Sequence, residues 1–473
     1  MIKTMKLKKI LNIYNLNYKY QYKNKINLYL IRNGLNKKLI KHLSTNIFLY
    51  IFIYKFKKYS LKILNIMKFP DWKFFDGPNI NYDNIIYYSS ILKDSNLITY
   101  LKNNLNISFL DSILVKTNSI DVIFDSISIL QTTQYFLKKI GIIFLPLFNV
   151  ILRYPLLVKK YLGTVVSYKD NFFANINSII FSEGSFCYVP KYIKCSFNLS
   201  TYFKTNSYDF AQFERTLIIV NEYSYIVYLE GCTASMYKES QLHVAIVEII
   251  VKNYSYVKYY TLQNWYRGDY LGNGGLYNFT TKRGVCFNFS KLDWIQIELG
   301  SIITWKYPST ILKGNFSISN FYSISFLSYN QIADTGSKMY HIGSYTKSYI
   351  ISKSISLNNS LNIFRGLIYI NPYSYKSYNY TECSSLIFGN KSLTVTIPYV
   401  KNYNNTSYIK QEAFISKIEI LYLFLLMQRG LNISEAMSLI VIGFCSNIYN
   451  KLPFELNLEI PILFSLKIKD IFK

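Results

Sequence analysis

Between Asn171 and Val400 the chain consists of short runs in which apolar and polar residues alternate, such as SYIVYLEG, ISFLSYN and SYIISKSISL, broken by Gly, Asn and Ser. An alternation of period two puts successive side chains on opposite faces of an extended strand, whereas a helix repeats every 3.6 residues. Such runs at close intervals predict an all-β body. No strict repeat of fixed period is visible, so the pattern alone leaves a sandwich, a barrel and a parallel β-helix open.

On both flanks the pattern turns helical. Asp125 to Val166 reads as a short strand followed by helical segments, with Pro155 just inside the start of PLLVKKYLG and Gly163 just past its end. After Lys401, AFISKIEILYLFLLMQRG and SEAMSLIVIGFCSNIYNKL read as helices. Gly430 stops the first, and Asn432 with Glu435 three positions later reads as a capping box for the second. The apolar run Leu421 to Met427 covers more than one helical face, so this helix is buried in its own bundle or docked on another protein. The expected organisation is a basic low-complexity arm over 1–70, a mixed helical region over 71–165, a β core over 166–400 and a helical domain over 401–473.

A chain of 473 residues exceeds what one ordinary core serves, and half of it is hydrophobic. Its net charge of +27 would by itself suggest nucleic acid or an anionic membrane surface as partner. Residues 1–70, however, hold sixteen Lys or Arg and no Asp or Glu, so most of the excess sits at one end. Tyr, Phe, Ile, Lys and Asn are over-used while Pro (10) and Trp (4) are scarce, as AT-rich coding produces at neutral positions. The arm is Lys-, Asn- and Tyr-rich with a single Arg32, unlike the Arg- and Ser-rich transit peptides. The bias points instead to a plastid-type genome, whose products need no import signal. Asn46 to Tyr54 and Ile140 to Leu152 fall short of the ~20 apolar residues a bilayer crossing needs, and no membrane partner is expected.

Six cysteines (Cys187, Cys195, Cys232, Cys286, Cys383 and Cys445) lie far apart with no CxxC pair. That spacing excludes a disulfide framework, a zinc ribbon and a self-contained ferredoxin-type site. Any cluster must draw ligands from distant segments or another subunit.

Three segments stand out from the background. LEGCTASMYKESQLHVA (Leu229 to Ala245) sets Cys232 between Gly231 and Thr233, with Glu230, Lys238, Glu239, Gln241 and His243 nearby. TLQNWYRGDYLGNGGLYNF places Gln263, Trp265 and Asp269 beside a glycine cluster, and NYTECSSLIFGN carries Cys383. A free cysteine is ordinarily a small buried hydrophobe, and the polar setting of Cys232 argues against that default. GNGG at Gly272 to Gly275 lacks the spacing of a phosphate loop and opens no helix, so it reads as a tight turn.

Together with TWKYPS, ADTGSKM, FRGL and LIVIGFC, these segments resemble the SufB/SufD family of the SUF iron-sulfur cluster assembly machinery. The likeness covers most of Phe69 to the end and is dense from Leu157. EGCTA and QNWY, with both Cys232 and Cys383, resemble the SufB branch more than the SufD paralogue. The resemblance implies a right-handed parallel β-helix and an assembly scaffold, not an enzyme in its own right. It implies that Cys232 accepts sulfur as a persulfide, on a thiolate whose pKa neighbouring cations depress. A passage inside the β-helix would be lined by Lys204, Asn206, Glu214, Gln263, Trp265 and Lys282. Lys204 stands where Arg is common, which keeps the charge but loses the planar fork. Polar groups buried unpaired cost about 1–3 kcal/mol each, so the alternative for this set is an internal ladder of mutually satisfied side chains that never touches sulfur.

Cys383 matches the family's cluster-ligating cysteine. Where the family has a Glu-His-Glu triplet, this chain reads Lys410, Gln411, Glu412. Gln is a poor iron ligand, which leaves Cys383 and Glu412 as this chain's metal-binding share. The implied partners are the ATPase subunit SufC on the C-terminal helices, SufD or a second SufB copy, and a cysteine desulfurase with its sulfur-transfer partner. The implied product is a transient 4Fe-4S cluster, the complex admits a flavin, and the implied location is the stroma of an apicoplast-type plastid. His243, His341 and the other four cysteines read as structural, Cys286 being the first exception to consider. The rival from another class is a basic nucleic-acid-binding protein that uses Lys/Arg for phosphates and Tyr/Phe for stacking.

Overall fold

The computed structural model describes residues 28–31, 51–68, 70, 88–91, 119–124, 127–131, 134–181, 184–205, 211–234, 240–268 and 274–471. Most of the basic arm, Lys238, Glu239, Asp269 and Gly272 lie outside the described residues. The body is a parallel β-helix of about seven turns, made of two facing sheets of ten strands each. One sheet stacks Lys194–Thr205, Tyr225–Ala234, Tyr256–Asn264, Lys291–Leu299, Ile318–Leu327, Lys347–Leu357, Tyr378–Phe388 and Tyr408–Lys417 in parallel register. The facing sheet stacks Ala211–Val220, Ser240–Val251, Gly275–Cys286, Ile332–His341, Leu361–Ile370 and Leu393–Asn402, with Ile303–Lys306 and Ser309–Leu312 sharing one level. The mainly β expectation holds, and the β-helix is the member of the three architectures that forms.

One corner shows why the chain coils. Tyr192, Tyr223, Tyr254, Phe289, Phe316 and Tyr345 all have φ between 54° and 62°, a conformation that costs an L-residue about 1–2 kcal/mol. Each amide donates to a carbonyl of the next coil, for example Tyr254 to Asn288 (3.0 Å) and Phe289 to Asn315 (2.9 Å). The six rings stack face to face with centroids 4.8–5.2 Å apart. Aromatic pairs contribute about 0.5–1.5 kcal/mol each beyond their burial, which offsets part of the backbone cost.

Both outer faces are covered. Helices Ile433–Tyr449 and Phe454–Ile471 lie over the first sheet, burying Leu229, Leu262, Ile297, Ile324 and Phe326. Helix Phe172–Ile180 packs Phe173 and Ile176 against the other sheet, and helix Ile51–Leu64 packs on it in turn. A buried pair ties the entry segment down: Glu248 accepts from the guanidinium of Arg215 (2.6 and 3.0 Å) and from the amides of Gly163, Val165 and Val166 (3.0–3.1 Å).

The local signals read from sequence are present. Pro155 opens helix Pro155–Tyr161, and Gly163 has φ +73° beyond its end. Gly430 has φ +87°, and the Asn432 amide donates to the Glu435 carboxylate (3.2 Å). Two expectations of helix fail. Ile143–Pro146 is a strand pairing antiparallel with Ser185–Val189, inside the run expected to be helical. AFISK belongs to strand Tyr408–Lys417, so helix begins only at Ile420–Met427. There the preceding coil offers a full row of backbone partners to YIKQEAFISK, and that overrides its weak local preference. Among the described residues no helix is long and apolar enough to cross a membrane.

Candidate functional site

Because side chains alternate along a strand, Tyr228, Glu230 and Cys232 point into the β-helix while Leu229 faces the covering helices. Register then stacks inward residues of successive coils into columns. The column through Glu230 continues as Thr261, Gln296, Ser323, Ser352 and Cys383. The column through Cys232 continues as Gln263, Glu298, Ser325, Ser354 and Ser385. All of these are buried. The two thiols therefore face one interior in adjacent columns five strand spacings apart, about 24 Å at ~4.8 Å per strand.

The interior is divided lengthwise. One half is apolar, with Tyr228, Tyr259, Trp294, Phe321 and Ile350 in it. The other half is polar, its facing wall supplied by Glu214, His243, Asn278, Thr280, Lys282, Thr304, Lys306 and Asn362. Down this half Ser323 donates to Ser352 (2.9 Å), Ser354 to Ser385 (2.7 Å) and Asn362 to Ser325 (3.2 Å). Glu298 pairs with Lys306.

Around Cys232 the side chains form one network. Its Sγ lies 4.0 Å from Glu230 Oε1 and 3.9 Å from Gln263 Nε2. The carbonyl oxygen of Gln263 accepts from Trp265 Nε1 (3.3 Å) and Asn278 Nδ2 (2.6 Å). Asn278 Oδ1 meets His243 Nδ1 (3.0 Å), whose Nε2 lies 3.5 Å from Glu214. On the other side Lys282 Nζ donates to Glu230 (2.9 Å), Thr261 (3.0 Å) and Tyr259 (3.3 Å), and the Tyr259 hydroxyl also donates to Glu230. Phe203, Trp265 and Leu276 close apolar contacts over the thiol.

Four of the six residues assigned to a passage, Glu214, Gln263, Trp265 and Lys282, thus belong to the network around Cys232, Gln263 by direct polar contact with the thiol. For Lys204 only the backbone is described, in the strand beside Cys232 and paired with Thr233, and Asn206 lies outside the described residues. His243 belongs to this network, whereas sequence reasoning set it aside as structural. Glu230 and Asn278 were missed as site residues. For Glu230 the signal was available: two residues before Cys232 on an alternating strand, it must share its face.

The charge balance differs from expectation. Burial first, then the carboxylates of Glu230 and Glu214, push the Cys232 thiol well above its ordinary range, against the opposing pull of Lys282 and Lys306. A cation is present, but Glu230 claims it, so the expected depression of the thiol does not occur in this state. Burial brings Lys282 down to about 8 and Glu214 up to about 7, the latter against its contact with His243. Burial raises Glu230, yet Lys282 and Tyr259 bring it below the ordinary carboxylate range.

At the far end Cys383 is buried, and burial with the neighbouring Glu382 raises its thiol to about 12. Its register partner is Ala413. Glu412 pairs with Glu382, leaves the opposite face of the sheet, and holds Lys410 (2.6 Å) and Tyr380 (3.2 Å) there. The structure therefore does not bring Cys383 and Glu412 to one face. Gln411, in register with the inward Thr381, occupies the inner face at this last coil and is exposed. Among the described residues no three His, Cys, Asp or Glu side chains converge as a metal-binding set. His341 is satisfied by Thr346 (2.7 Å) and Ser348 (2.9 Å), and burial lowers it to about 3. Cys187, Cys195 and Cys286 sit in the apolar half, against which Cys383 also packs, and Cys445 lies under the covering helices.

Comparison with known proteins gives one family. Residues 203–444 match the family model described as SUF system FeS cluster assembly, SufBD core domain. The chain is 86% identical to the iron-sulfur cluster assembly protein SufB of Plasmodium falciparum, over 99% of this chain and all of that one. It is 42% identical to the iron-sulfur cluster assembly SufBD family protein ycf24 of Pyropia yezoensis, covering 97% of this chain and 96% of the relative. It is 40% identical to the SufBD family protein ABCI8, chloroplastic, of Arabidopsis thaliana, covering 96% and 84%.

Proposed function

Since this chain belongs to the SufBD family of iron-sulfur cluster assembly proteins, we propose that it is the scaffold on which sulfur taken up at Cys232 is carried inside the β-helix to Cys383 and combined there with iron. The supporting observation is the pair of buried polar columns that runs from Cys232 and Glu230 to Ser385 and Cys383 without leaving the interior. An ordinary β-helix interior is aliphatic, and each unpaired polar group inside costs about 1–3 kcal/mol. Here Glu214 Oε1, Glu298 Oε2 and Asn362 Oδ1 are buried without a hydrogen-bond partner, although the other polar atom of each group is paired. These open hydrogen-bonding positions support the reading as a conduit over that as a fully satisfied ladder.

Iron and sulfur are the substrates, and a 4Fe-4S cluster is the product that leaves for an apo-protein. Cys383 supplies this chain's first ligand, and Glu412 the second once the outermost strand turns its carboxylate inward. The remaining ligands come from SufD or a second copy, seated on the last coil. Among the described residues no further coil lies beside its strands Leu393–Asn402 and Tyr408–Lys417, and Tyr399, Tyr408, Phe414 and Ile415 are exposed there. The ATPase SufC docks on helix Ile420–Met427, where Leu423 alone is buried while Ile420, Leu421, Tyr422 and Phe424 face outward. ATP-driven movement of these helices gives a cysteine desulfurase and its sulfur-transfer partner access to Cys232. The site of this work is the plastid stroma, in keeping with the chloroplastic relative. The nucleic-acid alternative lacks a stacking platform at the aromatic corner, because those rings already stack on one another.

Co-expression with a SufC-type ATPase, then anaerobic reconstitution with iron and sulfide, tests this function. The complex with wild-type chain is expected to gain iron-sulfur absorption that Cys383→Ser lacks. A complex that forms but holds no iron in any variant would rule the scaffold role out.

A further inference from the structure

Lys282 reaches across the interior from the facing sheet and stops on Glu230, one inward position short of Cys232. Its ammonium is shared among Glu230, Thr261 and Tyr259, all drawn to it within 3.3 Å, and none of its hydrogen bonds goes to sulfur. Glu230 Oε1 stands between them, accepting from Lys282 at 2.9 Å and lying 4.0 Å from Sγ. We propose that Glu230 is a positioning residue that decides which anion Lys282 serves: the Glu230 carboxylate at rest, with Cys232 kept as an inert thiol, and the Cys232 sulfur when Glu230 takes up the thiol proton. This rests on Cys232 being the sulfur acceptor.

The chemistry balances without an external oxidant. The incoming reagent is a persulfide, R–S–SH. The Cys232 proton moves to Glu230, and the thiolate, now facing Lys282, bonds the outer sulfur of the donor. The donor's S–S bond breaks, and R–S⁻ leaves and takes the proton from Glu230, giving Cys232–S–SH and R–SH. A cluster that held a thiolate permanently would expose it to alkylation and oxidation between turnovers. The other groups around Cys232 are Gln263 on the adjacent strand and, from the facing sheet, Glu214, His243 and Lys306. The first two are tied to each other through Asn278 and His243, and Lys306 to Glu298, which leaves Glu230 as the carboxylate against the thiol.

The test is the pH profile of iodoacetamide alkylation at each cysteine of the full chain, read by peptide mass spectrometry for wild type, Glu230→Gln and Lys282→Gln. Removing the carboxylate frees Lys282 for sulfur. Glu230→Gln should then alkylate at Cys232 about tenfold faster or more at pH 7.5, its midpoint about one pH unit or more lower, since one unit is tenfold in thiolate. Lys282→Gln should alkylate more slowly than wild type, with a higher midpoint. A merely structural role cannot move the two midpoints in opposite directions. Buried Cys187 and Cys286 report loosening of the fold, and if Glu230→Gln opens them, the slowing in Lys282→Gln decides, because unfolding only accelerates alkylation. A Glu230→Gln midpoint at or above that of wild type with Cys187 and Cys286 protected, or a Lys282→Gln chain no slower than wild type, overturns the assignment. A parallel incubation with cysteine persulfide reads the gain of one sulfur at Cys232. Failure of that arm alone sinks sulfur acceptance, while the alkylation profiles still judge Glu230.

Discussion

Replacing Glu248 by Gln should be among the most damaging single-atom changes in this chain, although Glu248 lies outside the proposed sulfur path. Both partners of the Arg215–Glu248 pair are fully buried. The carboxylate accepts two bonds from Arg215, one amide at Oε1 and two at Oε2. A carboxamide of the same shape must turn its NH₂ either on Val165 and Val166 or on Arg215 and Gly163, setting donor against donor, and it leaves the guanidinium without a counter-charge. Breaking a buried pair from one side costs about 3–5 kcal/mol. Arg215→Met should cost less, because the three amides continue to hold the carboxylate. The consequence is local as well as global, since the amides belong to the segment that joins helix Pro155–Tyr161 to the β-helix. Denaturant unfolding followed by tryptophan fluorescence, together with limited proteolysis after Lys159 and Lys160, reads both effects. Loss of under 1 kcal/mol in Glu248→Gln, or a larger loss in Arg215→Met, would refute the reasoning.

Three further outcomes follow from the same geometry. At the aromatic corner, Phe289→Val should cost at least about 1–2 kcal/mol more than Phe289→Asn in thermal or denaturant unfolding, because a β-branched residue resists φ +54° while Asn tolerates it; equal losses would show that backbone conformation is not limiting there. Glu214 has its folded pKa raised to about 7, above the ordinary ~4.3, so the stability tied to it is whole below pH 4 and is lost as pH rises through 7. Glu214→Gln should therefore flatten the fall in Tm between pH 5 and 8, and an unchanged slope would count against that assignment. Phe424→Glu on the exposed face of helix Ile420–Met427 should leave unfolding of the isolated chain within about 0.5 kcal/mol yet abolish capture of a SufC-type ATPase, and undiminished capture would remove this helix as the docking site.

How much of this was legible in sequence differs by level. Alternation gave strands, and Pro155, Gly163 and Gly430 marked helix ends, because those signals are local. The coil was readable only through the family resemblance and not from spacing, since residues sharing one column (Tyr225, Tyr256, Lys291, Ile318, Lys347, Tyr378 and Tyr408) follow at intervals of 27 to 35 residues. A repeat was nonetheless present in the turns: Asn253-Tyr254-Ser255, Asn288-Phe289-Ser290 and Asn315-Phe316-Ser317, with Glu222-Tyr223-Ser224 and Ser344-Tyr345-Thr346 at the ends. These Asn-x-Ser matches look like glycosylation noise in an Asn-rich chain, but each puts an aromatic at positive φ and a hydroxyl back onto the turn. At the site, residue types and the Cys232–Gln263–Lys282 set were readable through family resemblance. Which charge Lys282 neutralises, and which face Glu412 leaves, depend on register across coils, and no spacing within one strand encodes that.

The claim that sulfur travels inside the β-helix is tested most directly by blocking the path between the thiols and following the sulfur. Ser352 is the register neighbour of Cys383, one coil before it in its column, where it accepts from Ser323 and lies outside the hydrogen-bond network around Cys232. In the assembled complex given a cysteine desulfurase and isotopically labelled cysteine, Ser352→Leu should still load labelled sulfur on Cys232 while little or none reaches Cys383, with Ser352→Thr as the polar control that passes it. Labelled sulfur arriving at Cys383 in Ser352→Leu as fast as in wild type would mean that the interior is not the route.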